Sequence, residues 1–493
     1  MFPYKTSFNL NRQSNQALYL QLANQFIQYI TDGKLPKGTK LIGSRALADL
    51  LSVHRKTVVA CYEELDIQGW VESVPKKGTF VHSNLPVLKK QDFKEVNFKD
   101  ENYTSFSFYQ EEILGETFTK SKKGWTYLND GISDSRLTPI EEIGRTYRKI
   151  AAKKSIFEHL SYGTTYGNET LRKELVAYLN KTRGLNITID NLLITRGSQM
   201  GIYLTSQLLL KEDECIVIGE TNYPSATITF KHTGAKVLTV KVDENGIDTN
   251  ELERLCKNYK IKALYITSHH HHPTTVTLSA ERRIHLLNIA KTYNFAILED
   301  DYDYDFNYNQ APILPLSSHD VNGNVIYIGS VCKTVAPVFR IGYLIATKAF
   351  VDEAAKLRRF IDRQGDALLE LTFAEYIKSG DLDRHIRKVI RIYKKRRDLF
   401  CQLLQEQCGA FFSFTIPKGG MAVWVTLHKD YKWSSFIEAA KDFELTIPNY
   451  ERYDMFYTGH NSVRIGFATY NLDEIKQLIR KLQLVCKSMK LIS

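Results

Sequence analysis

The chain has 493 residues, of which 43% are hydrophobic and 25% are charged. This length exceeds what one hydrophobic core usually supports, so we expect at least two domains. No apolar run is long enough to cross a bilayer, and residues 1–11 lack the basic start and apolar core of a signal peptide, which predicts a cytoplasmic protein. The net charge of +11 permits an anionic partner without identifying one, and the seven dispersed cysteines disfavour a disulfide framework or a zinc site.

Three helices are predicted near the N-terminus. Apolar residues recur at helical spacing from Leu18 to Ile30, and Gly33 suits the left-handed position that follows such a helix. A second helix is expected over 44–51 with Ser44 as its N-cap, and a third over 54–68. The inward face of the third helix is expected to consist of Val58, Val59, Tyr62, Leu65 and Ile67.

The second and third helices form a helix-turn-helix pattern, because only the short break at Ser52-Val53 separates them. The third helix opens with two basic residues and a threonine, and such a helix enters the major groove with its first residues on the base edges. Two short strands, 70–74 and 79–81, follow around the turn 75–78, whose two lysines suit phosphate contact. An ordinary helical subdomain with solvated lysines is the alternative interpretation.

These elements, taken in order, resemble the GntR family of bacterial regulators. The matching segments within residues 1–82 are YLQLANQFIQYITDGKLPKGTKL, GSRALADLLSVHRKTVVACYEEL and GWVESVPKKGTFV. The resemblance implies a DNA-binding winged helix whose contact and supporting residues are Arg45, Arg55, Lys56, Thr57 and the hairpin residue Gly78. Ile42-Gly43 stands where the family usually has Leu-Pro, which loosens the turn and removes no contact group.

Residues 83–125 are expected to link two domains. They mix lysines with acids and show no sustained periodicity, and a long stretch without elements is typical of a connection between domains. Phe106 and Phe108 suggest that part of this linker docks onto a surface. The second domain is then expected over 126–493.

From Asn129 onward, helical stretches alternate with short apolar strands, which predicts an α/β domain with a largely parallel sheet. Helices are expected over 169–183 and 198–210. The predicted strands are 191–195, 214–219, 236–241, 263–267, 296–299, 325–329 and 342–346. A smaller lobe is expected from Arg384 to the end. Its basic stretch 384–397 is amphipathic, which favours a packed helix over a second DNA contact.

Several residues at predicted strand ends are typical of a phosphate-bearing cofactor site. Lys333 follows an apolar strand, and a lysine in a partly desolvated pocket has a lowered pKa and can form a Schiff base with an aldehyde. Ser330 and Arg340 lie close by in the sequence and could hold a phosphate. Gly197 and Ser198 lead from a strand into a helix whose first N–H groups would also cradle that phosphate.

A carboxylate and two phenols complete the candidate site. Asp300 ends another strand, and a carboxylate against a pyridine nitrogen keeps the nitrogen protonated and makes the ring an electron sink. The Tyr302 phenol could bond a ring oxygen, and Tyr223 could stack on the ring. Taken singly, each residue has an ordinary alternative as a solvated lysine, an acidic loop or a helix cap.

Residues 129–493 resemble the fold-type I aminotransferases. The matching segments are YGTTYGNETLRKELVAYLNKTRG, ITRGSQMGIYL, LEDDYDYDF, GSVCKTVAPVFRIGYL and HIRKVIRIYKKRRDL. Joined to the GntR-like start, they are similar over nearly the full chain to the MocR/GabR type of regulator. The expected fold is therefore multidomain, with an N-terminal winged helix-turn-helix and an α/β fold-type I pyridoxal-phosphate-dependent transferase-like domain that includes the smaller C-terminal lobe.

The resemblance implies pyridoxal 5′-phosphate as the cofactor and Lys333 as its Schiff-base lysine. It places Asp300 at the pyridinium, Tyr302 at the ring oxygen and Tyr223 on the ring face. The implied phosphate-binding residues are Gly197, Ser198, Ser330 and Arg340. Arg464, in VRIGFA, matches the position that receives a substrate carboxylate. By the same resemblance, Tyr162 or Tyr166 would reach the cofactor of a neighbouring subunit.

The chain departs from the aminotransferases at His272-Pro273-Thr274-Thr275, where those enzymes have Asn-Pro-x-Gly. His272 can donate one hydrogen bond to the cofactor in place of the missing amide, so the change weakens the expectation of full transamination more than that of cofactor binding. The run 269–272 consists of four histidines. Neighbouring loop histidines rarely converge on one tetrahedral ion, so no metal site is expected.

Three functions remain open. The first is a transcription regulator that pairs as a homodimer on a double-stranded DNA operator and senses an amino acid or amine, which displaces Lys333 as an external aldimine. The second is an aminotransferase with an appended DNA-binding domain, and the third is a DNA-binding protein whose second domain is a cofactor-free scaffold. The winged helix favours the first and third, whereas Lys333, Asp300, Tyr302 and Arg340 together favour the first and second. We therefore expect a regulator without a membrane partner, and leave residual transamination open.

Overall fold

The computed structural model describes residues 2–85, 106–107, 124–308 and 313–492. The chain divides into two compact units, Met1–Gln110 and Glu111–Ser493, and the division falls inside the expected linker. Phe106 is exposed, whereas Phe108 lies outside the described residues.

The first unit is a three-helix core followed by a β-hairpin. Its elements are α1 Tyr4–Ser7, α2 Leu18–Thr31, α3 Ser44–Leu51, α4 Arg55–Ile67, β1 Val71–Val74 and β2 Gly78–Val81. The two strands are antiparallel, with Val71 opposite Val81 and Val74 opposite Gly78. Buried apolar side chains from α2, α3, α4 and both strands meet in one core, and they include Leu22, Phe26, Leu47, Val58, Leu65, Val71 and Val81. The predicted helix-turn-helix and wing are thus present.

Two local predictions in this unit are wrong. Ser44 does not cap α3, because Gly43 takes the extended cap conformation and Ser44 is the first helical residue. Ile67 does not face the core and is 83% exposed. At about 100° per residue, Ile67 lies about 200° around the helix from the buried Leu65 and therefore points to the opposite side.

The second unit is an α/β domain with a smaller lobe. Its helices are α5 Ile140–Ala151, α6 Glu169–Arg183, α7 Ser198–Leu209, α8 Pro224–His232, α9 Thr249–Asn258, α10 Ala280–Tyr293, α11 Lys348–Arg358, α12 Ala367–Lys378, α13 Asp381–Cys408, α14 Trp433–Ala440 and α15 Leu472–Ile492. Its strands are β3 Thr126–Tyr127, β4 Leu192–Thr195, β5 Cys215–Gly219, β6 Lys236–Val240, β7 Val242–Asp243, β8 Gly246–Ile247, β9 Ile261–Ile266, β10 Ala296–Asp301, β11 Val325–Ser330, β12 Gly342–Ile345, β13 Phe412–Phe414, β14 Ala422–Leu427, β15 Leu445–Thr446 and β16 Ser462–Gly466.

All seven predicted strands join one sheet in the order β4-β12-β11-β10-β9-β5-β6. Five run parallel to one another, and β12 is antiparallel to both of its neighbours, so that β4 also runs with the main set. The carboxyl ends of β4, β5, β9, β10 and β11 therefore lie at the same edge. In open α/β sheets, ligands bind at this edge.

The smaller lobe packs α13, α14 and α15 against the antiparallel sheet β13-β14-β16. The basic stretch 384–397 lies within α13, where Ile386, Val389 and Tyr393 are buried. Arg396 is also buried and donates to Asp134 at 2.9 Å. The packing agrees with the amphipathic helix expected there.

Membrane-spanning helices and disulfides are both absent from the described residues. None of the helices in the described ranges is long and apolar enough to cross a bilayer. All seven cysteines are buried, and no disulfide joins them in the part of the chain that the structure covers.

Candidate functional site

The candidate DNA-contacting residues of the first unit lie on α3 and at the start of α4. Arg45, Arg55 and Lys56 are exposed, and Thr57 is half-buried. His54 caps α4 by accepting the Lys56 backbone N–H at its Nδ1, 3.1 Å away. This hydrogen bond caps the first turn of α4, and the Arg55 and Lys56 side chains on that turn remain exposed to solvent.

The wing depends on the backbone of Gly78. Its φ is +116°, which side-chain-bearing residues rarely adopt, and a Cβ there would lie 3.0 Å from Cε of Lys40. Lys40 forms an isolated antiparallel bridge with Phe80, and its ammonium lies 5.8 Å from the centre of that ring. Lys40 is therefore a basic neighbour of the wing that the sequence analysis missed, because its contact with the hairpin is not local in sequence.

Lys333 follows β11 and lies at the carboxyl edge of the large sheet. Its Nζ donates a 2.9 Å hydrogen bond to the carbonyl of Gly131. Burial lowers the pKa of Lys333, and the nearby charge of Asp130 opposes this effect. A lowered pKa increases the fraction of Lys333 that is present as the neutral, nucleophilic amine near neutral pH.

Asp300 is the penultimate residue of β10, the strand beside β11. The Tyr265 phenol of β9 donates to its Oδ2 at 2.8 Å, whereas Oδ1 is buried with no hydrogen-bond partner among the described residues. Burial raises the pKa of Asp300 to about 7. A buried carboxylate oxygen without a donor fits a protonated ring nitrogen, which would supply both a hydrogen bond and a compensating charge.

The candidate phosphate cradle lies between β4 and β11. Gly197, at φ +79°, immediately precedes α7, and a Cβ there would lie 2.8 Å from a guanidinium nitrogen of Arg340. The Ser330 hydroxyl accepts from the backbone N–H of Cys332 at 3.0 Å. Ser198 begins α7, whose first N–H groups lack helical partners. The close approach of the Arg340 guanidinium to the start of α7 therefore requires glycine at position 197.

Tyr223, His272 and Tyr302 supply aromatic groups near this edge. The Tyr223 and His272 rings meet edge to face at 5.2 Å, and the His272 and Tyr302 rings lie 6.3 Å apart. His272 Nδ1 is buried without a partner among the described residues. Burial and the charge of Arg464 lower the pKa of His272, so the ring is neutral at physiological pH and can donate from one nitrogen only.

Arg464 of β16 is 2% exposed and is held by three protein oxygens. Its Nε donates to the Asp130 carbonyl at 2.8 Å, Nη1 to the Pro273 carbonyl at 3.0 Å and Nη2 to the Tyr302 hydroxyl at 3.3 Å. A guanidinium carries five N–H groups. The three contacts use three of these N–H groups and hold the guanidinium in one orientation. Two N–H groups remain for a further acceptor.

The four histidines of the run 269–272 turn to different partners. His269 lies 3.3 Å from Asp301, His270 lies 2.9 Å from Asp303, and His271 Nε2 lies 2.8 Å from the Thr221 carbonyl. Within the described ranges, no group of three or more potential ligands is placed to hold a metal ion. The run follows β9, and its first two histidines contact carboxylates at the end of β10 and just after it.

Two predicted tyrosines and three residues that the sequence analysis missed also lie in the second unit. Tyr162 is 77% exposed, and the Tyr166 hydroxyl donates to Asp352 at 2.8 Å. The sequence analysis missed Tyr265, Asp130 and Arg452, all of which contact or face the residues of the candidate cofactor site. A tyrosine inside an apolar strand signals a buried polar contact without identifying its partner.

A winged helix joined to a fold-type I aminotransferase-like domain is the architecture of a DNA-binding regulator that carries an enzyme-derived domain. Residues 129–482 match the family "Aminotransferase class I and II", and residues 18–81 match the family "Bacterial regulatory proteins, gntR family". The chain therefore belongs to the aminotransferase class I and II family and, with its GntR domain, to the MocR type of transcription regulators.

Similar proteins include both regulators and enzymes. The chain is 28% identical to the uncharacterized HTH-type transcriptional regulator YisV of Bacillus subtilis, over 95% of this chain and 96% of that protein. It is 28% identical to aromatic-amino-acid aminotransferase 1 of Thermococcus litoralis, over 72% of this chain and 86% of the enzyme. The structure of Pyrococcus horikoshii kynurenine aminotransferase in complex with PMP matches with a TM-score of 0.67 at 27% identity, over 73% of this chain and 91% of that one.

Proposed function

We propose that this chain is a cytoplasmic, pyridoxal-phosphate-dependent transcription regulator that senses an amino acid or amine at Lys333. The observation that carries the proposal is the pairing of two groups at the ends of adjacent strands. Lys333 follows β11, and Asp300 lies in the last two residues of β10 and has one buried oxygen that lacks a partner among the described residues. An amine and a carboxylate with one unpaired oxygen, both at one sheet edge, match the aldehyde and the ring nitrogen of pyridoxal.

The residues of this edge would hold each part of the cofactor. Asp300 would accept from the ring nitrogen, and Tyr302 or His272 would bond the ring oxygen, while Tyr223 would cover one ring face. The phosphate would be bound by Gly197, Ser198, Ser330 and Arg340. When bound, the cofactor supplies an aldehyde carbon that condenses reversibly with primary amines.

The effector would bring its amine to the position of Lys333 and its carboxylate to Arg464. Arg464 keeps two N–H groups beyond its three protein contacts and is held rigidly by them. Displacement of the Lys333 amine and filling of the pocket would change the balance between two arrangements of the protein. The ligand must bind those arrangements unequally, since otherwise nothing switches.

The winged helix would read an operator as part of a homodimer. Winged-helix regulators commonly bind two half-sites, and twofold symmetry in the protein matches twofold symmetry in the DNA. Phe157, Tyr162 and Phe360 are 74%, 77% and 88% exposed on the second unit. Large apolar side chains exposed to this degree support a protein partner surface, for which we propose a second copy of the chain.

Absorbance and DNA binding test the proposal together. Purified full-length protein supplied with pyridoxal 5′-phosphate should absorb visible light, and Lys333→Ala should lose this band. Lys348→Ala is the matched control, because Lys348 is an exposed lysine of the same domain that pairs with Asp352. An amino acid should change both the absorbance and the operator affinity of the wild type.

A colourless wild-type protein would contradict the sensing proposal and leave the cofactor-free scaffold. The second candidate is an aminotransferase with an appended DNA-binding domain, which is favoured by the joint presence of Lys333, Asp300 and Arg464 at one edge. Multiple turnovers of an amino donor with a keto acid, without any effect on DNA binding, would establish that candidate.

A further inference from the structure

Three basic side chains converge on the dipeptide Asp130-Gly131. Lys333 Nζ donates to the Gly131 carbonyl at 2.9 Å, and Arg464 Nε donates to the Asp130 carbonyl at 2.8 Å. Arg452 Nη2 donates to the Asp130 carboxylate at 2.8 Å. Burial raises the pKa of Asp130, but the charges of Arg452, Lys333 and Arg464 hold it below its ordinary value. Arg452 binds the Asp130 carboxylate and Arg464 binds the Asp130 carbonyl, so two guanidinium groups meet one carboxylate at this dipeptide, and this local excess of positive charge favours an anionic ligand.

Arg452 is held firmly and still lacks a partner for one donor. It lies in the turn between β15 and β16, where its guanidinium stacks on the Tyr453 ring at 4.7 Å and donates to the Tyr453 hydroxyl at 2.5 Å. Its Nε is buried with no hydrogen-bond partner among the described residues, although 35% of the side chain is exposed. A buried donor left unpaired is unfavourable until an acceptor arrives.

Tyr453 joins Arg452 to the candidate cofactor site. Its ring lies 5.8 Å from the ring of His272 and 5.8 Å from the ring of Trp424. Trp424 of β14 is directly opposite Arg464 of β16, so the two side chains leave the small sheet on the same face. Arg452 therefore lies near Arg464 and His272, to which it is connected through Tyr453 and Trp424.

We propose that Arg452 binds a second acidic group of the effector, which would make the effector an amino acid with an acidic side chain. This inference rests on the proposed function. The amine would lie toward Lys333, the α-carboxylate at Arg464 and the side-chain carboxylate at Arg452. A distal ammonium group is disfavoured, because the Asp130 carboxylate that it would need is already bound by Arg452. An apolar side chain would leave Arg452 Nε unpaired, and an amide side chain would offer it only a neutral acceptor.

Matched pairs of ligands test this assignment on the cofactor-loaded, full-length protein. Dissociation constants are measured from the cofactor absorbance for L-glutamate against L-glutamine, and for L-aspartate against L-asparagine. At least one acid should bind about tenfold or more tightly than its amide, since hydrogen bonds to charged groups contribute more than neutral ones. Arg452→Gln should remove this preference, because it should lower the affinity for the acid by more than the affinity for the amide.

Two further variants guard against a merely structural effect. Arg452→Lys keeps the charge and should retain part of the preference for the acid, whereas Arg480→Gln changes an exposed arginine of the same lobe and should have no effect. Equal affinities for acid and amide, or an equal loss for both in Arg452→Gln, would overturn the inference and leave the proposed function standing. Absence of any spectral response to amino acids or simple amines would instead refute the proposed function and this inference with it.

Discussion

The Tyr265 phenol donates a 2.8 Å hydrogen bond to Oδ2 of Asp300, across the adjacent strands β9 and β10. This bond stabilises the ionised carboxylate, whereas burial raises the pKa of Asp300 to about 7. Tyr265 thus helps to keep Asp300 charged where a protonated ring nitrogen needs a negative partner. Tyr265 is therefore a positioning residue, which acts on the candidate cofactor site through Asp300.

Tyr265→Phe should weaken the binding of pyridoxal 5′-phosphate several-fold. The change removes the only side-chain hydrogen-bond donor to Asp300 among the described residues and so disfavours the carboxylate that the ring nitrogen requires. The cofactor dissociation constant, measured by absorbance or fluorescence, checks this prediction. Tyr327→Phe is the matched control, because it removes a buried phenol that bonds Asp301 at 2.6 Å instead. An equal loss of cofactor affinity in both variants would count against a specific role for Tyr265.

Cofactor-free protein should lose stability as the pH rises from about 4 to about 7, through the contribution of Asp300. The unfolded chain releases this proton near pH 4, whereas the folded chain keeps it until a pKa of about 7. The folded state therefore binds more protons in this window, and its free energy of unfolding falls as the pH increases.

Asp300→Asn should lack this contribution, because an amide does not titrate and can still accept from Tyr265. Urea unfolding of both cofactor-free proteins, at a pH near 5 and again near 8, measures the difference. The variant should gain stability relative to the wild type at the higher pH. If the difference between the two proteins is the same at both values, the Asp300 carboxyl does not have a raised pKa.

Gly197→Ala should abolish or severely weaken cofactor binding. The new Cβ would lie 2.8 Å from a guanidinium nitrogen of Arg340 and would occupy a backbone with φ +79°. Gly234→Ala is the matched control, because Gly234 has the same φ of +79° but its Cβ would lie 3.3 Å from Glu212, in a separate turn. Both variants should be less stable by about 1 kcal/mol or more from backbone strain. Only Gly197→Ala should lose the cofactor, and equal cofactor affinity in the two variants would exclude the phosphate cradle.

Arg55→Ala should weaken operator binding by about 1–3 kcal/mol if its guanidinium contacts a base edge. Arg55 begins α4 and is exposed, so its removal should leave the fold of the first unit intact. Titration of labelled operator DNA, at one fixed salt concentration, measures the affinity. Lys5→Ala, at an exposed position on α1, serves as the control. Unchanged operator affinity in Arg55→Ala would remove Arg55 from the DNA contacts.

Local sequence patterns predict much of this fold because the main elements have strong periodicity. All seven sheet strands were expected within a few residues of their bounds, and α6 begins and ends at the expected residues. The roles of Ser44 and Ile67 were predicted wrongly. At a helix end, a shift of one residue decides which residue is the N-cap and which side of the helix a side chain faces. Errors of this kind leave the fold unchanged.

The candidate site was predicted only where its residues sit in recognisable motifs. Arg452 and Asp130 are 322 residues apart in sequence, and Lys333 and Gly131 are 202 apart, so no local pattern indicates either contact. The contact between Tyr265 and Asp300 depends on the order of the strands in the sheet. Such residues become visible only when the chain is folded.

Borohydride reduction followed by peptide mapping tests the role of Lys333 most directly. The cofactor-loaded protein should carry a reduced pyridoxyl group on Lys333, and prior addition of the effector should lower that labelling. Lys348 should remain unlabelled. Labelling spread over exposed lysines, with Lys333 unmodified, would contradict the account.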